Sequence, residues 1–145
     1  MNHFRNKRLI LAADDNPTDR RILLEAFRDV DTSLEVHFVE DGVQLLDYLR
    51  GNGKNTRPPS LVLLDLTMPH IDGRKALAAI KTDPRLRPIP VIVLTGSQEA
   101  QDISNVYDHG GTTYLFKPES FEDLVRVIAT LCQFWFHTSR LPEPD

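Results

Sequence analysis

Residues 61–65 read LVLLD, four apolar side chains in an unbroken run closed by a carboxylate. A strand that is apolar on both faces must be covered on both faces, which is the condition of a parallel sheet lying between layers of helices. Outward from this stretch the same texture recurs as LILAA at Leu9–Ala13 and VIVL at Val91–Leu94, with shorter apolar runs at Val36–Val39 and Tyr114–Phe116. Between the runs the apolar spacing becomes helical. Leu23, Phe27 and Val30 form one stripe, opened by Asn16-Pro17, a capping residue followed by proline at the first helical position. Leu45, Leu46 and Leu49 form a second, ended by Gly51, and Ala76, Leu77 and Ile80 a third, ended by Asp83-Pro84. Ile103, Val106 and Tyr107 form a fourth with few large apolar residues, so the least firmly packed helix is expected there. The last stripe is the strongest and runs through Phe121, Leu124, Val125, Ile128, Leu131, Cys132 and Trp135. Strict strand–helix alternation predicts an α/β fold, a doubly wound (βα)5 with a five-stranded parallel sheet and right-handed crossovers.

The whole chain is 145 residues, the size of one domain, with a core expected over about 7–136 and a loose tail over 137–145. A hydrophobic share of 41% with 26% charged residues excludes a disordered chain, and a net charge of −4 excludes a globally basic nucleic-acid binder. Arg20-Arg21 and the early Arg5, Lys7 and Arg8 read as solvated faces. One cysteine excludes an internal disulfide framework. No apolar run is long enough for a membrane span or a signal-peptide core, so the expected location is the cytoplasm, with no membrane partner.

In open parallel sheets, ligands sit outside the carboxyl ends of the strands. Here the first strand ends in Asp14-Asp15, the third in Asp65, the fourth in Thr95 and the fifth in Lys117. Three carboxylates on one rim repel one another and ask for a cation, and Mg2+ suits a few carboxylates, waters and a phosphate oxygen. Lysine and threonine then offer a charge and a hydroxyl to the remaining oxygens of a phosphoryl group. Taken singly, the aspartates read as helix caps, Thr95 as a turn residue and Lys117 as a solvated lysine. Taken together they describe a carboxylate that accepts phosphate.

Asp14-Asp15, the segment Asp65-Leu-Thr-Met-Pro69-His-Ile-Asp-Gly73, Thr95 and Lys117-Pro118 together resemble the receiver domain of two-component response regulators, over nearly the whole chain. That resemblance implies the flavodoxin-like receiver fold, with strand order 2-1-3-4-5. It implies Asp65 as phosphoacceptor, Asp15 as a direct Mg2+ ligand, Asp14 acting on the metal through water, and the backbone carbonyl of Thr67 completing the protein ligands. It also implies Lys117 on a phosphoryl oxygen, a cis peptide before Pro118, and Thr95 with Tyr114 as a switch pair. The stretches KTDPRLRPIPVIVLTGS (81–97) and FWFHTSRLP (134–142) are similar to the small receivers that partner phytochrome-type histidine kinases. The function so implied is phosphoryl acceptance from a histidine kinase of the bacteriophytochrome class, by a phosphoacceptor rather than a classical enzyme.

Between Lys117 and Asp145 the sequence has room for one helix and a tail, so no DNA-binding output domain is expected and the signal would pass by protein contacts. Phe134, Trp135 and Phe136 turn by about 100° per residue on a helix, so with Trp135 continuing the core stripe the two phenylalanines point to opposite flanks. At least one is expected to be exposed, which suggests a homodimer through the last helix and the fifth-strand region. The kinase would dock near the first helix and the acidic rim. Three rival functions fit these residues less well. A phosphohydrolase with an aspartyl nucleophile needs a second carboxylate two residues after the first, where Thr67 stands. A flavodoxin-like electron carrier needs a hydroxyl- and glycine-rich loop where Asp14-Asp15-Asn16-Pro17 stands. A degenerate receiver that only binds partners would not need the complete acid set. His70 is expected to face solvent and Cys132 to lie in the core.

Overall fold

The computed structural model describes residues 8–51, 57–68 and 72–138. Along the chain it forms β1 (Leu9–Ala13), α1 (Pro17–Val30), β2 (Glu35–Val39), α2 (Gly42–Leu49), β3 (Leu61–Leu64), α3 (Gly73–Thr82), β4 (Val91–Thr95), α4 (Ala100–Asp108), β5 (Thr113–Phe116) and α5 (Phe121–Cys132), with α5 running on into a π-helical turn, Gln133–Thr138. The sheet is wholly parallel in the order β2-β1-β3-β4-β5, the doubly wound arrangement expected.

The double-sided apolar strands feed two separate cores. Leu11, Ala13, Val62, Leu64, Val91 and Val93 face α2, α3 and α4, where Leu45, Leu77, Ile80 and Val106 meet them. Their neighbours Ile10, Ala12, Leu61, Leu63, Ile92 and Leu94 face α1 and α5, where Leu23, Phe27, Leu124 and Ile128 meet them. Alternation along each strand thus assigns successive side chains to opposite layers.

Local chemistry fixes where the helices begin. Asn16, Asp41, Asp72 and Ser120 each accept a hydrogen bond from a backbone N–H three residues on, satisfying one of the donors a first turn leaves open. α4 has no such side-chain cap and buries only Asp102 and Val106. The aromatic end of the chain departs from the helical expectation. The π turn winds more residues per turn than an α-helix, so both Trp135 and Phe136 come to rest half-buried against the α1–α5 core while Phe134 remains 50% exposed. Phe136 is held there by the Arg8 guanidinium, 5.4 Å above its ring centre. Cys132 is buried as expected. His70 and most of the tail, 139–145, lie outside the described residues.

Candidate functional site

β1 and β3 are neighbours whose following helices leave toward opposite faces, and the crevice at their carboxyl ends collects the acidic residues. Asp14, Asp15 and Asp65 offer carboxylate oxygens that all lie within 4.8 Å of one another. Asp14 and Asp65 are buried and Asp15 is exposed, so the cluster opens to solvent on one side. Asp14 accepts the N–H of Asn16 on Oδ1 at 3.0 Å. Burial pushes its carboxyl above the ordinary carboxylate range, only partly countered by the lysine opposite. A cation would relieve that cost. All the donors are hard oxygens, the set that suits Mg2+, and the acidic cluster fits it.

Lys117, on the turn after β5, closes the cluster. Its Nζ donates to Asp14 Oδ2 and Asp65 Oδ2, both at 2.8 Å, and to Asp19 Oδ2 at 3.2 Å. Burial by itself would lower the ammonium's pKa, but the hydrogen bonds it donates to Asp14 and Asp65 outweigh it and hold Lys117 above its ordinary value, charged at any physiological pH. The peptide before Pro118 is trans, which corrects the cis expectation. Trans is the lower-energy isomer of an X–Pro bond by about 0.5–1 kcal/mol, and it already lets the lysine reach both carboxylates.

Asp65 is hydrogen-bonded on both oxygens. Oδ2 holds Lys117, while Oδ1 accepts the Thr95 hydroxyl at 2.9 Å and the Thr67 N–H at 3.1 Å. Thr95 is fully buried at the end of β4. On β5, Tyr114 packs inward against the α2–α3–α4 core and donates its hydroxyl to the carbonyl of Ser97 at 2.8 Å. The Tyr114 N–H goes to the hydroxyl of Tyr107 on α4, 3.1 Å away. The acceptor loop is braced by Gly73, whose N–H donates to the Leu66 carbonyl at 3.0 Å. A Cβ at Gly73 would stand 2.4 Å from the Asp65 carbonyl oxygen and 2.6 Å from Leu66 Cα, so α3 can start here only without a side chain.

The site therefore brings together Asp14, Asp15, Asp65, Thr67, Thr95 and Lys117, with Tyr114 one layer behind. The sequence did not single out Asp19 or the group Arg74, Asp102 and Ser97, and it read Arg20 as part of a solvated face, whereas the structure half-buries Arg20 against the site. Asp19 adds a further carboxylate to Lys117, and Arg20 donates to the Asp14 carbonyl at 2.8 Å. The signal for both was their place in the first turn of α1, directly after the acidic pair. Beside the site, α1 and α5 border a cleft of about 510 Å3 that runs from Asp14 and Lys117 over Ile22, Leu23, Phe121 and Leu124.

Comparison with known proteins agrees with this geometry. The family model of the response regulator receiver domain matches residues 10–129. The probable methanogenesis regulatory protein FilR2 of Methanothrix harundinacea is 38% identical over 139 residues, 94% of this chain and 88% of that protein. Response regulator Rcp1 of Synechocystis sp. is 34% identical over 137 residues, 93% of each chain, and its Mn(2+)-bound form has been solved, with a TM-score of 0.85. The crystal structure of the phosphorylated cyanobacterial phytochrome response regulator RcpA has a TM-score of 0.88 at 38% identity, covering 93% of this chain and 98% of that one.

Proposed function

The chain belongs to the response regulator receiver family, the phosphoacceptors that interact with histidine kinases in two-component systems, and from that premise we propose that Asp65 is the residue phosphorylated here. The observation that carries this is the set of donors already on its carboxylate: Thr95 and Thr67 share one oxygen, Lys117 takes the other, and two more aspartates stand within metal-sharing distance.

The chemistry follows from those positions. A carboxylate oxygen of Asp65 attacks the phosphorus of a phosphohistidine in line with the P–N bond; the P–O bond forms as the P–N bond breaks and the imidazole leaves. Asp65 must give up donors to do so. The Lys117 ammonium and the Thr95 hydroxyl, now spent on the carboxylate, pass to oxygens of the incoming phosphoryl group, where negative charge accumulates. Asp14, Asp15, Asp65 and the Thr67 carbonyl would hold Mg2+, which supplies charge neutralisation at the phosphoryl oxygens. Moving the Thr95 hydroxyl from Asp65 to the phosphoryl group changes what stands before the Tyr114 ring, and the pair acts as the switch.

The kinase is of the phytochrome class, a reading supported by the likeness to RcpA and Rcp1. It docks over α1 and the start of α5, where the apolar floor of Ile22, Leu23, Phe121 and Leu124 leads directly to Lys117. The signal leaves by protein contacts, and a homodimer through the last helix and β5 is supported by exposed Phe134 and Phe116. A degenerate receiver that binds without phosphate has less support, because such a module would not need this complete set of acids, hydroxyl and lysine.

Acetyl phosphate with Mg2+ should raise the mass of the protein by about 80 Da, one phosphoryl group. Asp65→Asn, which keeps the shape of the side chain, should abolish the gain with an unchanged far-UV spectrum. Persistence of the gain in that variant would overturn the assignment.

A further inference from the structure

α4 has a weak hold on the rest of the molecule. Val106 is its one buried apolar side chain, and its first turn has no side-chain cap. What fixes that first turn is polar. Asp102, 6% exposed, takes a two-pronged bond from Arg74 of α3, Nε to Oδ1 at 2.8 Å and Nη2 to Oδ2 at 2.7 Å. Asp102 Oδ2 also accepts the Ser97 hydroxyl at 2.6 Å.

Each partner sits where local stability does not explain it. An arginine in the first turn of a helix opposes the helix dipole, so Arg74 gains nothing there from α3 itself. Asp102 is well placed for the dipole of α4, yet its carboxylate is turned to α3 and Ser97 instead of capping its own helix. Paired planar geometry of this kind fixes orientation as well as distance. The Arg74 guanidinium holds the Asp102 carboxyl down at about 2, so the pair stays ionised through the physiological range.

The positions at the two ends of this network decide what it does. Arg74 follows Gly73, which rests against the backbone of Asp65 and Leu66. Ser97 lies two residues after Thr95, and its carbonyl is the acceptor of the Tyr114 hydroxyl. We propose that Arg74, Asp102 and Ser97 are positioning residues for the Thr95–Tyr114 switch: the ion pair between α3 and α4 fixes Ser97, and Ser97 holds the tyrosine inward. The inference rests on the reading of Thr95 and Tyr114 as a switch pair. It adds a second route from the acceptor loop to Tyr114, through α3, beside the direct route through Thr95. Because the hydroxyl of Tyr114 is tied to the loop and not to a phosphoryl group, the inward position does not require phosphate, and the ion pair sets how firmly the ring is held there.

The test labels the full-length chain with 3-fluorotyrosine, assigns the Tyr114 signal with Tyr114→Phe, and follows it by fluorine NMR without any phosphodonor. Ser97→Ala removes only a half-buried hydroxyl and leaves the carbonyl in the chain. The expected result is a Tyr114 signal displaced toward that of an exposed tyrosine, with at least a tenfold rise in the outward-to-inward ratio. Arg74→Met should give the same displacement, and Ser97→Thr, which restores the hydroxyl, should return the signal to its wild-type position. An unmoved signal in Ser97→Ala, or an equal displacement in Ser97→Thr, overturns the proposal. Since no phosphate is present, this outcome is independent of Asp65; the mass gain with acetyl phosphate, run on the same wild-type sample, reports on the acceptor separately.

Discussion

Asp102 is a residue whose charge state bears on stability. Its pKa lies at about 2, lowered first by Arg74 and then by Ser97, against an ordinary value of 3.8. A carboxyl with a depressed folded-state pKa contributes stability that is complete above the ordinary value and is lost as pH falls through the lowered one. The urea midpoint of wild type should therefore exceed that of Asp102→Asn at neutral pH, and the gap should close between about pH 4 and pH 2. A gap that stays constant over that window would show that the ion pair is not its source. Gly73 stands against backbone that cannot give way. Gly73→Ala drives a methyl group into backbone atoms of Asp65 and Leu66 that have no side-chain freedom to yield. The expected cost is about 1–3 kcal/mol by urea denaturation, with slower phosphorylation because the displaced atoms belong to the acceptor itself. Asp102 shows the limit of single-residue reading. The strand-end aspartates were legible because a carboxylate that closes an apolar run is conspicuous. Asp102 was not, because an acid in the first turn of a helix reads as an ordinary dipole partner until its arginine, 28 residues away, is seen against it.

At the level of elements, the strands were the easiest part to read. LILAA, LVLL and VIVL are apolar on both faces, and each became a strand shared between two cores. Helix starts were equally legible at Asn16-Pro17, where the cap and the proline coincide. The end of α5 was not. A reading at 100° per residue sends Phe134 and Phe136 to opposite flanks, but the π turn changes the angular step and brings Phe136 onto the core beside Trp135. Nothing local in QFWFHT announces that change, which goes with two large rings packed on the same core and with the Arg8 contact from the other end of the chain. The Lys117–Pro118 peptide belongs to the same class, since the preference between isomers is small and is decided by surroundings rather than by the dipeptide.

The molecule as a whole carries a net charge of −4 and leaves Phe116, Tyr107 and Phe134 among its exposed large hydrophobic residues. If Phe134 belongs to the homodimer surface, Phe134→Ser should lower the sedimentation coefficient to that of a monomer while leaving the phosphoryl mass gain intact. A wild type that is already monomeric at high concentration, with and without phosphate, would remove the dimer. The same side of the molecule has a different exposure to manage. β5 is the last strand of the sheet, and a terminal strand offers its outward amides to any extended chain that passes. The phenol of Tyr107, reaching back from α4 to the Tyr114 N–H, occupies one of those places. The helix thus acts as a guard rail: as long as it stays seated, an unrelated peptide or a second sheet cannot extend the ladder at Tyr114. Whatever loosens α4 therefore also governs how well the protein resists edge-to-edge aggregation, and the amide of Tyr114 should exchange with solvent at the rate at which α4 lets go.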